Sequence, residues 1–217
     1  MLHGVKINAV DTLEQYGLAL AADLQVESPT LKENRIPVPG MDGSLNASYA
    51  LTGGPVFNDI GITFMLISRN GQAEQSRKAL MNLYNGREVR LTLPDDPDHY
   101  YHGVLTVGGV SEYNSGTIEM SMVAGPYKKR QTVTTVTGEV PAAGTLDLNI
   151  PNEGKDAMPK ITCSADAQIT YGTATYAVQA DQPLISTGII LKAGDNAMTI
   201  TAAAGTTVSV EYQEAVL

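Results

Sequence analysis

Hydrophobic residues recur along this chain mostly with the two-residue period of strands. Val89, Leu91 and Leu93 alternate with Arg90 and Thr92, and Ile118, Met120 and Met122 alternate with Glu119 and Ser121. That is the pattern of a strand with one buried face. Ile60–Ile67 (IGITFMLI) is almost continuously apolar, β-branched or aromatic, which predicts a strand buried on both faces. Tyr100–Val107 reads as another strand, and Asn114-Ser115-Gly116 as the turn before the strand Thr117–Ala124. One segment has a helical period instead. Ala73, Ser76, Leu80, Leu83 and Tyr84 share a helical face, and Glu74 and Lys78 pair one turn apart. Asn70 offers an N-cap and Gly86 a left-handed stop, so one helix is predicted over about 71–85.

Beyond residue 130 no helical period appears. Short apolar runs at Thr145–Ile150, Lys160–Cys163, Gln168–Tyr171, Thr175–Val178, Ile189–Leu191, Ala197–Ala202 and Thr207–Tyr212 are separated by turn signals such as Asn152-Glu153-Gly154, Ala193-Gly194-Asp195-Asn196 and Gly205. Seven short strands at this spacing fit a β-sandwich. Composition changes at the same place: the last 87 residues hold 14 Thr and 14 Ala but only three aromatics, Tyr171, Tyr176 and Tyr212. A boundary is therefore expected near 126–136. It divides a mainly β chain into an N-terminal β-rich domain with one helix (1–130) and a C-terminal β-sandwich domain (131–217).

The 217 residues suffice for one large or two small domains. With 14 Lys and Arg against 23 Asp and Glu, the net charge is −9. A protein that grips nucleic acid or an anionic membrane needs the opposite balance. One cysteine, Cys163, excludes an intramolecular disulfide framework. The opening Met1-Leu2-His3-Gly4-Val5-Lys6 has no signal-peptide pattern, and no apolar run is long enough to span a bilayer.

Candidate chemistry is sparse. Asp95, Asp96, Asp98, His99 and His102 gather carboxylates and imidazoles, a set suited to a divalent cation. Their spacing matches neither an EF-hand nor a zinc motif, and a loop rich in Asp and Pro needs no metal, so a solvated turn is the better reading. Lys128-Lys129-Arg130 could touch phosphate, although solvated charges, or charges paired with an acidic neighbour, are the better reading. Cys163 has no histidine at a useful spacing and reads as a buried, inert thiol. Met65, Tyr113, Met120 and Met122 read as core or subunit-contact residues. No nucleophile elbow, P-loop or dinucleotide fingerprint is present. No catalytic, cofactor-binding or metal-ligating residue is assigned, and no enzymatic activity is expected.

The order of these features resembles the distal tail proteins of long-tailed bacteriophages. The matching elements begin with Leu2–Asn8 before a first strand. Pro29–Pro39 then leads into the turn Gly40-Met41-Asp42-Gly43, and Ile60–Ile67 precedes a helix ending Leu80-Met81-Asn82-Leu83-Tyr84. Val89-Arg90-Leu91-Thr92-Leu93, the Asp95-Asp96 loop and Tyr100-Tyr101-His102-Gly103-Val104 follow. Farther on, Asn152-Glu153-Gly154 before Met158-Pro159-Lys160-Ile161 resembles the opening of the family's second domain, and Leu191–Ile200 with Val208–Tyr212 its closing strands. The turn carries Met41 where a polar or basic residue is expected from the resemblance.

The resemblance implies a structural virion protein made in the bacterial cytoplasm and placed at the tail tip. It implies a baseplate hub: a homohexameric ring of N-terminal domains with galectin-like C-terminal sandwiches outside it. That ring joins the tail tube protein to a tail-associated fibre or lysin protein, with receptor-binding protein as a further partner. DNA passes through without specific binding, and no cofactor or membrane is involved. The alternatives are a carbohydrate-binding β-sandwich module, for which only three tyrosines offer stacking surfaces, and another tail component such as a tube protein.

Overall fold

The computed structural model describes residues 2–21, 24–52, 54–111 and 116–217. The expected turn at Asn114-Ser115 and the expected contact residue Tyr113 lie outside them. The chain divides into two compact units, Met1–Lys128 with Leu217, and Lys129–Val216. The architecture is mainly β.

The first unit contains β1 (Lys6–Ile7), β2 (Val10–Asp11), α1 (Thr12–Tyr16), β3 (Leu18–Leu20), β4 (Gln25–Val26), β5 (Arg35–Pro37), β6 (Ser44–Asn46), α2 (Ala47–Thr52), β7 (Ile60–Ser68), α3 (Ala73–Tyr84), β8 (Arg87–Thr92), β9 (His99–Val110) and β10 (Thr117–Ala124). Its main sheet runs β2-β1-β8-β9-β10-β7-β3, and β4 also pairs with β7. Its core gathers Val5, Ile7, Leu18, Ile62, Phe64, Leu66, Leu80, Leu91, Leu105, Ile118 and Met120 with their neighbours.

The alternating segments fold as their patterns require. In β10, Ile118, Met120 and Met122 are buried while Glu119 and Val123 are exposed. The run Ile60–Ile67 departs from expectation. Ile60, Ile62, Phe64 and Leu66 are buried, but Thr63, Met65 and Ile67 are exposed. The neighbours of β7 are antiparallel, and only one face of such a sheet has to be covered.

α3 occupies 73–84 of the expected 71–85. Ala73, Ser76 and Leu80 are buried, and Tyr84 packs against the core, but Leu83 turns to solvent. Glu74 bonds Arg77 and lies 3.9 Å from Lys78. Asn70 is not the N-cap; that position is Gln72. The Asn70 Oδ1 accepts from the Gln72 N–H one step outside the helix. Gly86 has the left-handed backbone (φ +70°) expected of it. Two short helices were not foreseen. α1 is five residues long, too short for a periodic signal, and is set by the Asp11 carboxylate accepting from Leu13 and Glu14 and by Gly17 at its end. α2 follows Asn46, whose side chain accepts from the Tyr49 N–H.

The second unit is a sandwich. After β11 (Lys128–Arg130), which leads into it, come β12 (Thr134–Glu139), β13 (Thr145–Asn152), β14 (Lys160–Cys163), β15 (Ala167–Tyr171), β16 (Ala174–Val178), β17 (Leu184–Ile185), β18 (Gly194–Ala202), β19 (Thr207–Tyr212) and β20 (Ala215–Val216). One sheet runs β12-β19-β14-β17 and the other β13-β18-β15-β16. Ile150, Ile161, Ile169, Met198, Ile200, Val208 and Val210 fill the space between them.

Ile189–Leu191 is not a strand. Ile189 and Leu191 are buried, but only Leu191 pairs, in a single bridge with Ala157. The expected turn at Gly194-Asp195-Asn196 instead begins β18, because Asn196 turns its side chain inward. There its amide donates to the Ile150, Lys192 and Gly194 carbonyls, and its oxygen accepts from the Lys192 N–H. These bonds satisfy a buried polar group.

Candidate functional site

The most distinctive surface of the first unit is the segment that leaves the sheet after β4 and returns at β7. Residues 31–43 are all exposed. β5 and β6 form a two-stranded sheet, Arg35 with Asn46, Ile36 with Leu45 and Pro37 with Ser44. The Pro39–Gly43 sequence makes the tip, where Met41 is exposed. At the base, Leu31 bridges to Phe57, the Lys32 N–H donates to the Val56 carbonyl, and the Asn58 amide donates to Thr30. Phe57 meets Tyr127 edge to face, with ring centroids 6.1 Å apart.

This arm exposes several large apolar side chains beside the charged Lys32, Glu33, Arg35 and Asp42. Leu31, Ile36, Val38, Met41, Leu45 and Tyr49 are exposed, and Leu51 on α2 is 87% exposed. A two-stranded hairpin is marginal in water without something to pack on. Large apolar side chains exposed together make the arm a candidate interaction surface. On the open face of the main sheet, exposed apolar residues stand in two places with Thr63, Glu119 and Ser121 between them. Val123 and Val104 are directly paired across β10 and β9, and Met65 and Ile67 lie on β7. Of the methionines expected in core or contact positions, Met120 and Met122 are core and Met65 is on this open face.

The polar cluster at 95–102 does not converge. Asp95 and Asp98 are exposed. Asp96 alone is engaged: its carboxylate accepts from Lys128 Nζ at 2.6 Å and lies 2.7 Å from His99 Nδ1. Burial pushes the Asp96 carboxyl up. The hydrogen bonds from Lys128 and His99 outweigh burial and hold it below the ordinary value of 3.8. The same bond raises Lys128 above its ordinary value of 10.5. His102 is 3.9 Å from Glu88 on a neighbouring strand.

The basic run is split between two acids. Lys128 goes to Asp96, and Arg130 pairs with Glu214, whose side chain is mostly buried. Among the described residues no three His, Cys, Asp or Glu side chains are grouped to hold a metal ion, and no helix is long and apolar enough to cross a membrane.

In the sandwich, hydroxyls dominate the exposed faces. Thr137, Ser209 and Thr162 form one cross-strand row, and Asp147, Thr199, Thr170 and Thr175 form another on the other sheet. Beside the first row a shallow depression of about 560 Å³ is lined by Glu139, Ser164, Asp181, Thr207 and those hydroxyls. The tyrosines weighed as sugar-stacking surfaces are occupied otherwise. Tyr212 is buried and donates to the Pro151 carbonyl. Tyr171 donates to the Ile190 carbonyl and lies 3.0 Å from Asn196 Oδ1. Tyr176 packs against the core. Cys163 is fully buried, which pushes its thiol up.

No protein-family model matches the chain, and no curated protein matches it in sequence. Solved structures do. The Dit protein (gp 19.1) of phage SPP1, a paradigm of the hub adsorption apparatus of phages that infect Gram-positive bacteria, superimposes with a TM-score of 0.60 at 14% identity, covering 99% of each chain. A designed double-stranded β-helix (TM-score 0.25, 9% identity, 39% of this chain and 99% of its own) and the Cnp3 cupin domain of Schizosaccharomyces pombe (TM-score 0.26, 14% identity, 53% and 88%) are similar only in part. From end to end, the chain has the fold of the SPP1 distal tail protein.

Proposed function

We propose that this protein is a distal tail component of a phage baseplate, a hub that assembles through its N-terminal unit and has no catalytic task. The observation that carries the reading is the full-length fold likeness to SPP1 Dit, which spans both units of the chain. A tube protein or an isolated sugar-binding sandwich would leave one of those units unaccounted for.

Two features support the assembly. The arm carries large apolar side chains that stay exposed among the described residues, and a neighbouring copy in a closed ring would cover them in every subunit alike. The charge suits a conduit. Six copies at −9 each carry −54, and an acidic ring repels passing DNA rather than holding it. In this reading the ring is six-fold and lies in the virion at the tail tip. It joins the tail tube to a fibre or lysin protein, and receptor-binding protein is a further partner. Residues 1–130 build the ring, and residues 131–217 stand outside it as sandwich domains.

Light scattering on the purified chain tests self-association. A mass that rises toward six copies with concentration supports the proposal. A mass of one copy at every concentration, both alone and co-expressed with a tail tube protein, overturns it.

A further inference from the structure

The sequence contains two Asn-Gly steps, Asn70-Gly71 and Asn85-Gly86, and both are exposed. An Asn-Gly step can modify itself. The backbone nitrogen of the glycine attacks the asparagine Cγ, forming a C–N bond. The Cγ–Nδ2 bond breaks, and the amide nitrogen leaves as ammonia, carrying the proton lost by the backbone nitrogen. Water then opens the cyclic imide at either carbonyl, giving aspartate or isoaspartate. Glycine favours this because no Cβ obstructs the attack. The reaction still requires a backbone N–H that is free to give up its proton and to turn toward the side chain.

The fold treats the two steps differently. The Gly86 N–H donates to the Leu105 carbonyl at 2.8 Å, and the Asn85 Oδ1 accepts from the Val107 N–H at 2.9 Å. Both ends of that step are thus bonded to β9. At the other step, the Asn70 Oδ1 accepts from the Gln72 N–H at 3.0 Å and from the Ser68 hydroxyl at 2.9 Å. This is a turn closed over Gly71, and such a turn brings the side-chain carbonyl carbon back over the intervening backbone. The Gly71 N–H makes none of the bonds found at Gly86.

We propose that Asn70 is a site of self-catalysed deamidation in the folded protein, with water as the only co-reactant, and that Asn85 is protected from the same chemistry by its bonds to β9. The aspartate product fits its place. It retains the Gln72 bond and adds a negative charge just before the 12-residue helix α3, where the helix dipole favours an anion. The isoaspartate product instead lengthens the backbone next to the Arg69 N–H, which is bonded to the Gly17 carbonyl.

The full chain is incubated in mildly alkaline buffer, and its peptides are mapped by mass spectrometry over time, folded and in denaturant. In the folded chain Asn70 converts at least about tenfold faster than Asn85, the factor associated with breaking one net backbone hydrogen bond and its surroundings. In denaturant the two convert at similar rates. Equal rates in the folded chain, or faster loss of Asn85, overturn the proposal. The variant Asn70→Asp, which copies one product, folds with unchanged or slightly raised thermal stability. A marked fall in its stability would contradict the fit described for the product.

Discussion

Arg130 donates a hydrogen bond to the carboxylate of Glu214, 84 residues farther along the chain, and Glu214 is the one charged residue among the described residues that is buried. The pairing is reinforced by the backbone, since the Arg130 N–H donates to the Glu214 carbonyl and the Gln213 amide to the Arg130 carbonyl. Removing the guanidinium strands a buried acid, a loss greater than that of a surface ion pair. Because Arg130 is itself 41% exposed, solvent screens part of it. Arg130→Ala should cost about 1–3 kcal/mol of stability, and Glu214→Gln, which keeps a hydrogen-bonding group, should cost less. Urea unfolding of the two variants checks the order.

The Asp96–Lys128 bond makes a pH-dependent contribution whose sign follows from the shifts. Asp96 is held below its ordinary value, so its stabilisation is fully present above about pH 4 and is lost as pH falls through the lowered folded value. Lys128 is raised, so its stabilisation is present below its ordinary value and is lost as pH rises through the elevated one. Asp96→Asn should therefore be less stable than the parent by about 1 kcal/mol at neutral pH. The difference should vanish at strongly acidic pH. A difference that persists unchanged into acid would show that packing, and not charge, explains the variant.

Gly103 of β9 pairs with Ala124 of β10. A Cβ there would stand 2.1 Å from the Val123 carbonyl oxygen and 2.6 Å from the Ala124 Cα, both backbone atoms with no rotamer to yield. Gly103→Ala should destabilise the first unit by about 2 kcal/mol or more. Gly109→Ala, with nothing within 4 Å, should cost much less. Thermal unfolding of the pair provides the comparison.

The fully buried Cys163 should resist thiol reagents in the folded chain and react on unfolding. Labelling with and without denaturant reads this directly. Rapid labelling of the native protein would place the thiol at the surface and contradict the packing of the sandwich.

The strands and the main helix were legible because their burial is local. In α3 the spacing of Ala73, Ser76 and Leu80 is the buried stripe itself, and in β10 the alternation of Ile118, Met120 and Met122 is the core face. Legibility failed where a residue's role depends on a distant partner or on none. Met65 and Ile67 made Ile60–Ile67 look two-sided, whereas they stand on an uncovered face. Ile189 and Leu191 are as apolar as a strand, yet they reach the core from a loop. The destinations of Lys128 and Arg130, 32 and 84 residues away in sequence, leave no periodic trace. The turn at Gly40–Gly43 was legible, but the exposure of the arm around it was not: Ile36, Leu45 and Leu51 suggest burial by their chemistry, and only the fold places them in solvent.

That placement makes the arm separable from stability. Replacing Ile36, Leu45 and Leu51 together with serine removes little that is buried in the single chain, so its unfolding should shift by no more than about 0.5 kcal/mol per site. Self-association should weaken severely. Light scattering and urea unfolding on the same samples distinguish the two effects.

The proposal that this chain builds a hub is put to the sharpest test by electron microscopy of the chain co-expressed with a phage tail tube protein. Closed rings of six subunits around an open channel are expected, and they should be absent when Ile36, Leu45 and Leu51 are replaced by serine. Single two-lobed particles under the same conditions, unaffected by those substitutions, would contradict it.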